Sequence, residues 1–78
     1  MKDLIGKSIK EYESFDHLYE PTQTGWDTKE YWHMDYDLDG QNPKEIFIRT
    51  SMKDDIVKEV VVETYTANYS LQKTDVFS

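Results

Sequence analysis

The chain of 78 residues has no cysteine, two prolines, three glycines, and nine basic residues against sixteen acidic ones. Without cysteine it has neither a disulfide framework nor a thiolate zinc site to supplement its core. Its net charge of −7 leaves no basic patch to neutralise phosphates, so direct binding to nucleic acid or to an anionic membrane is not expected. No apolar run resembles a signal-sequence core or a membrane span, and Met1 is followed at once by Lys2 and Asp3. These absences point to the cytoplasm, with an exported domain whose signal has been removed as the alternative.

A chain of this length makes one small domain, residues 1–78. It buries only about 60–65% of the surface its unfolded form exposes, which leaves one modest core and little room for a deep catalytic cleft. The acids are spread along the whole chain. That distribution secures solubility, and it also suits a basic protein partner or imitation of nucleic acid by spaced carboxylates.

Residues 4–20 carry a helical pattern. Ile5, Ile9, Tyr12, Phe15 and Tyr19 fall on one stripe, with Lys10, Glu13 and Asp16 opposite. Ser8 and Glu11 form a capping-box signature, and Pro21 ends the helix. Between Thr22 and Lys29 lies a connector in which Trp26 is expected to lid one end of the core. Asp27 and Glu30 there suggest a single helical turn.

From Tyr31 the period changes to two. Trp32, Met34, Tyr36 and Leu38 share one face, and His33, Asp35, Asp37 and Asp39 the other, which predicts a strand with its acids in water. Gly40 to Lys44 is turn chemistry, Ile46–Thr50 a second strand, and Val57–Thr66 a third, rich in β-branched residues. Residues 67–78 either add an edge strand or fray. The expected fold class is therefore α+β: an N-terminal amphipathic helix packed on an antiparallel meander of three to four strands. Its core is expected to hold Ile9, Phe15, Trp32, Met34, Ile48 and Val60.

One segment has specific metal chemistry in it. Asp35, Asp37, Asp39 and Gly40 match the opening of a calcium loop, which takes oxygen ligands at its first, third and fifth positions and glycine at its sixth. The twelfth position, which should be a bidentate Glu, is Ile46, and a strand rather than a helix follows. On an extended strand alternate side chains stand about 6.6 Å apart, too far for three carboxylates to share one ion. Calcium bound by Asp35, Asp37 and Asp39 is thus the alternative to a solvated acid row; otherwise no cofactor is expected. Gly6-Lys7-Ser8 lacks the upstream glycine of a phosphate loop, and neither His17 nor His33 has a spaced metal-binding partner. No nucleophile motif occurs, so the chain reads as a non-enzyme.

Leu4-Ile5-Gly6-Lys7-Ser8, then Leu18-Tyr19-Glu20-Pro21, then the Tyr-rich strand ending Tyr36-Asp37-Leu38-Asp39-Gly40, resemble the module shared by β-lactamase-inhibitor-protein-like domains and small outer-membrane lipoproteins of the SmpA/OmlA type. The similarity covers Leu4 to Glu63. It departs in a longer stretch from Gly6 to Pro21, in Tyr19 where a glycine is usual, and in the absence of a lipobox cysteine. The resemblance implies a helical segment followed by an antiparallel sheet, and a non-catalytic domain that binds another protein across that sheet. The functional expectation is a small acidic protein-binding domain of inhibitor, immunity or assembly type. Tyr31, His33, Asp35, Asp37 and Asp39 are its candidate contacts to a partner, which the acids suggest is basic. The domain itself is expected to be a monomer or a weak homodimer through an edge strand. The acidic nucleic-acid mimic is the second alternative.

Overall fold

The structure, a computed structural model, describes residues 1–36 and 42–78. Five antiparallel strands lie in chain order in one sheet: β1 (Thr22–Gln23), β2 (Thr28–Asp35), β3 (Lys44–Ser51), β4 (Val57–Tyr65) and β5 (Leu71–Phe77). The expected α+β architecture is corrected here, because no α-helix forms among the described residues. The N-terminal segment instead makes three separate 3-10 turns, Lys2–Leu4, Ile9–Glu11 and Phe15–His17.

The apolar stripe explains both the expectation and its failure. Ile9, Tyr12, Phe15 and Leu18 recur every three residues, which is the 3-10 period. A longer α-helix, at 3.6 residues per turn, would carry that spacing progressively off one face. Ser14 and Asp16 also favour turns, since their short polar side chains compete for backbone partners. Ser8 does act as a cap, accepting from the Lys10 N–H at 3.2 Å, but the turn it opens ends at Tyr12, where the backbone is extended again (φ −68, ψ 127).

Backbone hydrogen bonds moor this segment to the start of β4. The Gly6 N–H donates to the Val57 carbonyl (2.9 Å), the Val57 N–H to that of Lys7 (2.8 Å), and the Ile9 N–H to that of Asp55 (2.9 Å). Gly6 sits at φ +85, a left-handed value that costs a residue with a side chain about 1–2 kcal/mol.

The segment covers one face of the sheet. On that face Tyr31 stands opposite Ile48 and His33 opposite Ile46, while Ile48 and Ile46 in turn face Val60 and Val62. These residues form the core with Leu4, Ile9, Tyr12 and Val57, and Phe15, Leu18 and Phe77 pack at its margin. Ile9 and Ile48 are fully buried, each contributing about 1.5–3 kcal/mol. Ile9, Ile48 and Val60 are thus where the sequence placed them. Trp32 and Met34 are not: they point away from the core, and the two faces of β2 are exchanged relative to the expectation.

The reason lies at the strand's end. β2 stops at Asp35, and Asp37 and Asp39, which made the Tyr31 side of the pattern look polar, lie outside the described residues. Tyr31 and His33 are buried because each polar group finds a partner inside (Tyr31 with Asp55, His33 with Tyr12), which removes most of the burial cost. Trp26 does not lid the core either. It is 89% exposed in the β1–β2 connection, where a hairpin turn replaces the expected helical turn. That turn is held by the Thr24 N–H donating to the Thr28 carbonyl and by the Gln23 Nε2 donating to the Gly25 carbonyl. Among the described residues, no helix is long and apolar enough to cross a membrane.

Candidate functional site

The face of the sheet opposite the N-terminal turns carries no second layer among the described residues. Strand alternation decides what it displays. Trp32 stands opposite Phe47, Phe47 opposite Val61, and Val61 opposite Val76, an apolar row that crosses four strands. The first three are half-buried by their neighbours, and Val76 is 59% exposed. At one end of the row Tyr19 stacks on Trp32, with ring centroids 4.9 Å apart and planes at 22°. The Tyr19 N–H donates to the Trp32 carbonyl at 3.0 Å, so backbone and ring both fix this contact, and the indole is held flat in a chosen orientation.

Charged rows flank the apolar one. On one side Glu30 faces Arg49 across β2 and β3, and Arg49 faces Glu59 across β3 and β4, with Arg49 Nε and Glu59 Oε1 3.6 Å apart. On the other side Glu45 and Glu63 stand directly opposite each other. The Tyr65 hydroxyl lies 3.0 Å from Glu45 Oε1 and 2.9 Å from Glu63 Oε2, and Trp32 Nε1–H donates to Glu45 Oε2 at 2.9 Å. A phenol has one proton to give, so among the described residues this corner has more acceptors than donors. Glu63 first and Glu45 second hold the Tyr65 hydroxyl well above the usual tyrosine range, since both carboxylates favour the protonated phenol. A cationic side chain brought by a partner would supply the missing donors.

The expected contact residues take other positions. Tyr31 and His33 are on the covered face, so they do not form an exposed row with the acids. Tyr12 and His33 Nε2 share a 2.7 Å hydrogen bond. Burial, then the charge of Asp35, pushes the Tyr12 hydroxyl up to about 12, while burial lowers His33. The Tyr31 hydroxyl donates to Asp55 Oδ1 at 2.9 Å, and Lys29 Nζ is 2.6 Å from the same oxygen. Lys29 holds the Asp55 carboxyl below its usual range, and Asp55 in turn raises Lys29. This clamp joins β2 to the β3–β4 turn, in which Asp55 itself takes φ +60.

Asp35 is exposed and stands opposite Lys44. It lies at the margin of an open depression of about 290 Å³ that Tyr12, Ile46, Val62 and Asp75 also line. Asp37 and Asp39 lie outside the described residues, and with them the calcium alternative. Among the described residues, no group of three His, Asp or Glu side chains comes together to hold a metal ion.

The candidate contacts read from the sequence did not include Phe47, Val61, Glu45, Glu63 or Tyr65. A signal was there: Glu45, Phe47 and Arg49 alternate on β3, and Glu59, Val61 and Glu63 on β4. In each strand the apolar residue shares its face with charges, which marks that face as the outer one. No family model matches the chain, nor does any curated protein or solved structure.

Proposed function

We propose that this is a non-catalytic protein-binding domain that takes its partner on the open face of the sheet. The observation that carries the reading is the row Trp32, Phe47, Val61 and Val76, which crosses four strands with no layer over it among the described residues. Contiguous apolar surface rimmed by polar groups is typical of interaction sites. A tryptophan clamped by Tyr19 and Glu45 is the kind of rigid aromatic anchor on which binding energy concentrates. The Glu45–Glu63 pair beside it favours a partner whose apolar ridge is bordered by Lys or Arg. An inhibitor, immunity or assembly role suits these features, as does the resemblance to inhibitor-protein-like domains, which implies binding across a sheet.

The test uses the immobilised domain as bait in three forms: wild type, Phe47→Thr/Val61→Thr and Asp35→Asn. Threonine keeps the β propensity of both strands while removing the apolar row, and circular dichroism checks the fold. The expected prey is held by the wild type and by Asp35→Asn, lost by the double variant, and released as salt rises. If every prey held by the wild type is held equally by the double variant, the open face is not the site.

A further inference from the structure

The two edges of the sheet differ. At one, β1 is only two residues long, and beyond it the Tyr19 N–H donates to the Trp32 carbonyl, so the chain itself covers part of β2's outer side. At the other, β5 offers seven residues, Leu71 to Phe77, with no strand beyond it among the described residues. A free edge of that length is a template for further pairing, and proteins usually blunt one with proline, a bulge or charges of one sign. Leu71-Gln72-Lys73-Thr74-Asp75-Val76-Phe77 contains no proline and carries one charge of each sign; an irregularity lies at its Leu71 end, where the register with β4 skips Gln72, and Lys73 to Phe77 pair regularly. In a chain of net charge −7 it is a stretch where two copies can meet without like charges opposed.

The order of residues in β5 is itself self-complementary. When two copies of the strand pair antiparallel about Thr74, Lys73 meets Asp75 and Thr74 meets its own copy, while Val76 and Phe77 lie over the irregular Leu71–Gln72 end of the other copy. Lys73 and Asp75 share a face of the strand, where Lys73 Nζ and Asp75 Oδ2 are 3.4 Å apart within one chain. In this register each also stands opposite the other's counterpart in the second copy, so four charges alternate in sign around a square. Opposite charges placed directly across a ladder favour pairing, and like charges there oppose it.

We infer that β5 is a homodimerisation edge, at which two copies of this chain pair antiparallel about Thr74 to form one continuous ten-stranded sheet. This goes beyond the proposed role of the open face and does not depend on it. A two-fold axis normal to the sheet relates the copies, so their open faces lie on the same side. The contact is an edge rather than a face, and its small area makes the association weak and readily reversible.

Sedimentation velocity across a concentration series up to ~1 mM tests the inference on the whole chain, because a weak edge contact reports itself in that range. The wild type is expected to pass from monomer to dimer. Lys73→Glu places a carboxylate opposite each Asp75 across the dimer axis, and Asp75→Lys opposes ammonium groups in the same way. Each single variant should dimerise about tenfold or more weakly than the wild type. The exchange Lys73→Glu/Asp75→Lys restores opposite charges in this register and should recover wild-type association. An equimolar mixture of the two single variants should form a mixed dimer. A wild type that stays monomeric throughout the series would overturn the proposal. So would a dimer indifferent to either single variant, or an exchanged variant as weak as the singles.

Discussion

Tyr12 and His33 share a 2.7 Å hydrogen bond in the core, joining the N-terminal segment to β2. His33 is 3% exposed, and burial lowers its affinity for a proton below the ordinary value of 6.5, against a smaller opposing pull from Asp35. The unfolded chain therefore binds that proton more readily than the folded one. The stability gained from the neutral ring is fully present above 6.5 and is lost as pH falls from there through the depressed folded value. Urea unfolding at about pH 7.5 and about pH 5.5 should show the wild type weakened at the lower pH. His33→Gln should show a smaller difference. Equal pH dependence in the wild type and this variant would remove His33 as the titrating group.

Thr50 is fully buried, and its hydroxyl has no hydrogen-bond partner among the described residues. It lies where the β3–β4 register shifts between Arg49 and Thr50. An unpaired hydroxyl in that position costs about 1–3 kcal/mol of lost hydration. Thr50→Val preserves the branched shape and β propensity while removing the polar atom. It should stabilise the fold by about 1 kcal/mol, measured as a rise in the urea midpoint at unchanged slope. A destabilised variant would mean that the hydroxyl has a partner in solution.

The assignment of faces is tested by truncation. Ile48→Ala, at a fully buried position, should cost about 2–5 kcal/mol. Trp26→Ala, at a residue 89% exposed, should stay within about 0.5 kcal/mol. Thermal or urea unfolding of the two variants separates them readily in a domain of this size. A large loss at Trp26 would return it to the core, where the sequence pattern alone had put it.

The strands were the legible part of the sequence. The β-branched residues of Val57–Tyr65 and the turn chemistry of Lys53-Asp54-Asp55 locate β4 and its connection to β3, because local propensity and burial agree there. Residues 71–77 form the edge strand that was one of two expectations for the C-terminal segment. The N-terminal segment was misread because a repeat of three serves a chain of 3-10 turns as well as one helix face, and only the moorings of Gly6, Lys7 and Ile9 decide between them. The face of β2 was misread because alternation has no sign of its own. Whether Tyr31 or Trp32 points inward depends on where the strand ends and on partners supplied by Asp55 and Tyr12, which are distant in sequence. Of the expected contacts among the described residues, Asp35 alone is exposed, and the apolar row could not be assembled without the register of four strands.

The open face is tested most directly at Trp32. In a Trp26→Phe background Trp32 is the sole tryptophan, so its emission reports on that face alone. The domain is titrated with the protein that wild-type bait retains and Phe47→Thr/Val61→Thr bait does not. Burial of the half-exposed indole should shift emission to the blue and reduce acrylamide quenching, both saturating with binding. Saturable binding that leaves emission and quenching of Trp32 unchanged would contradict a partner seated on this face.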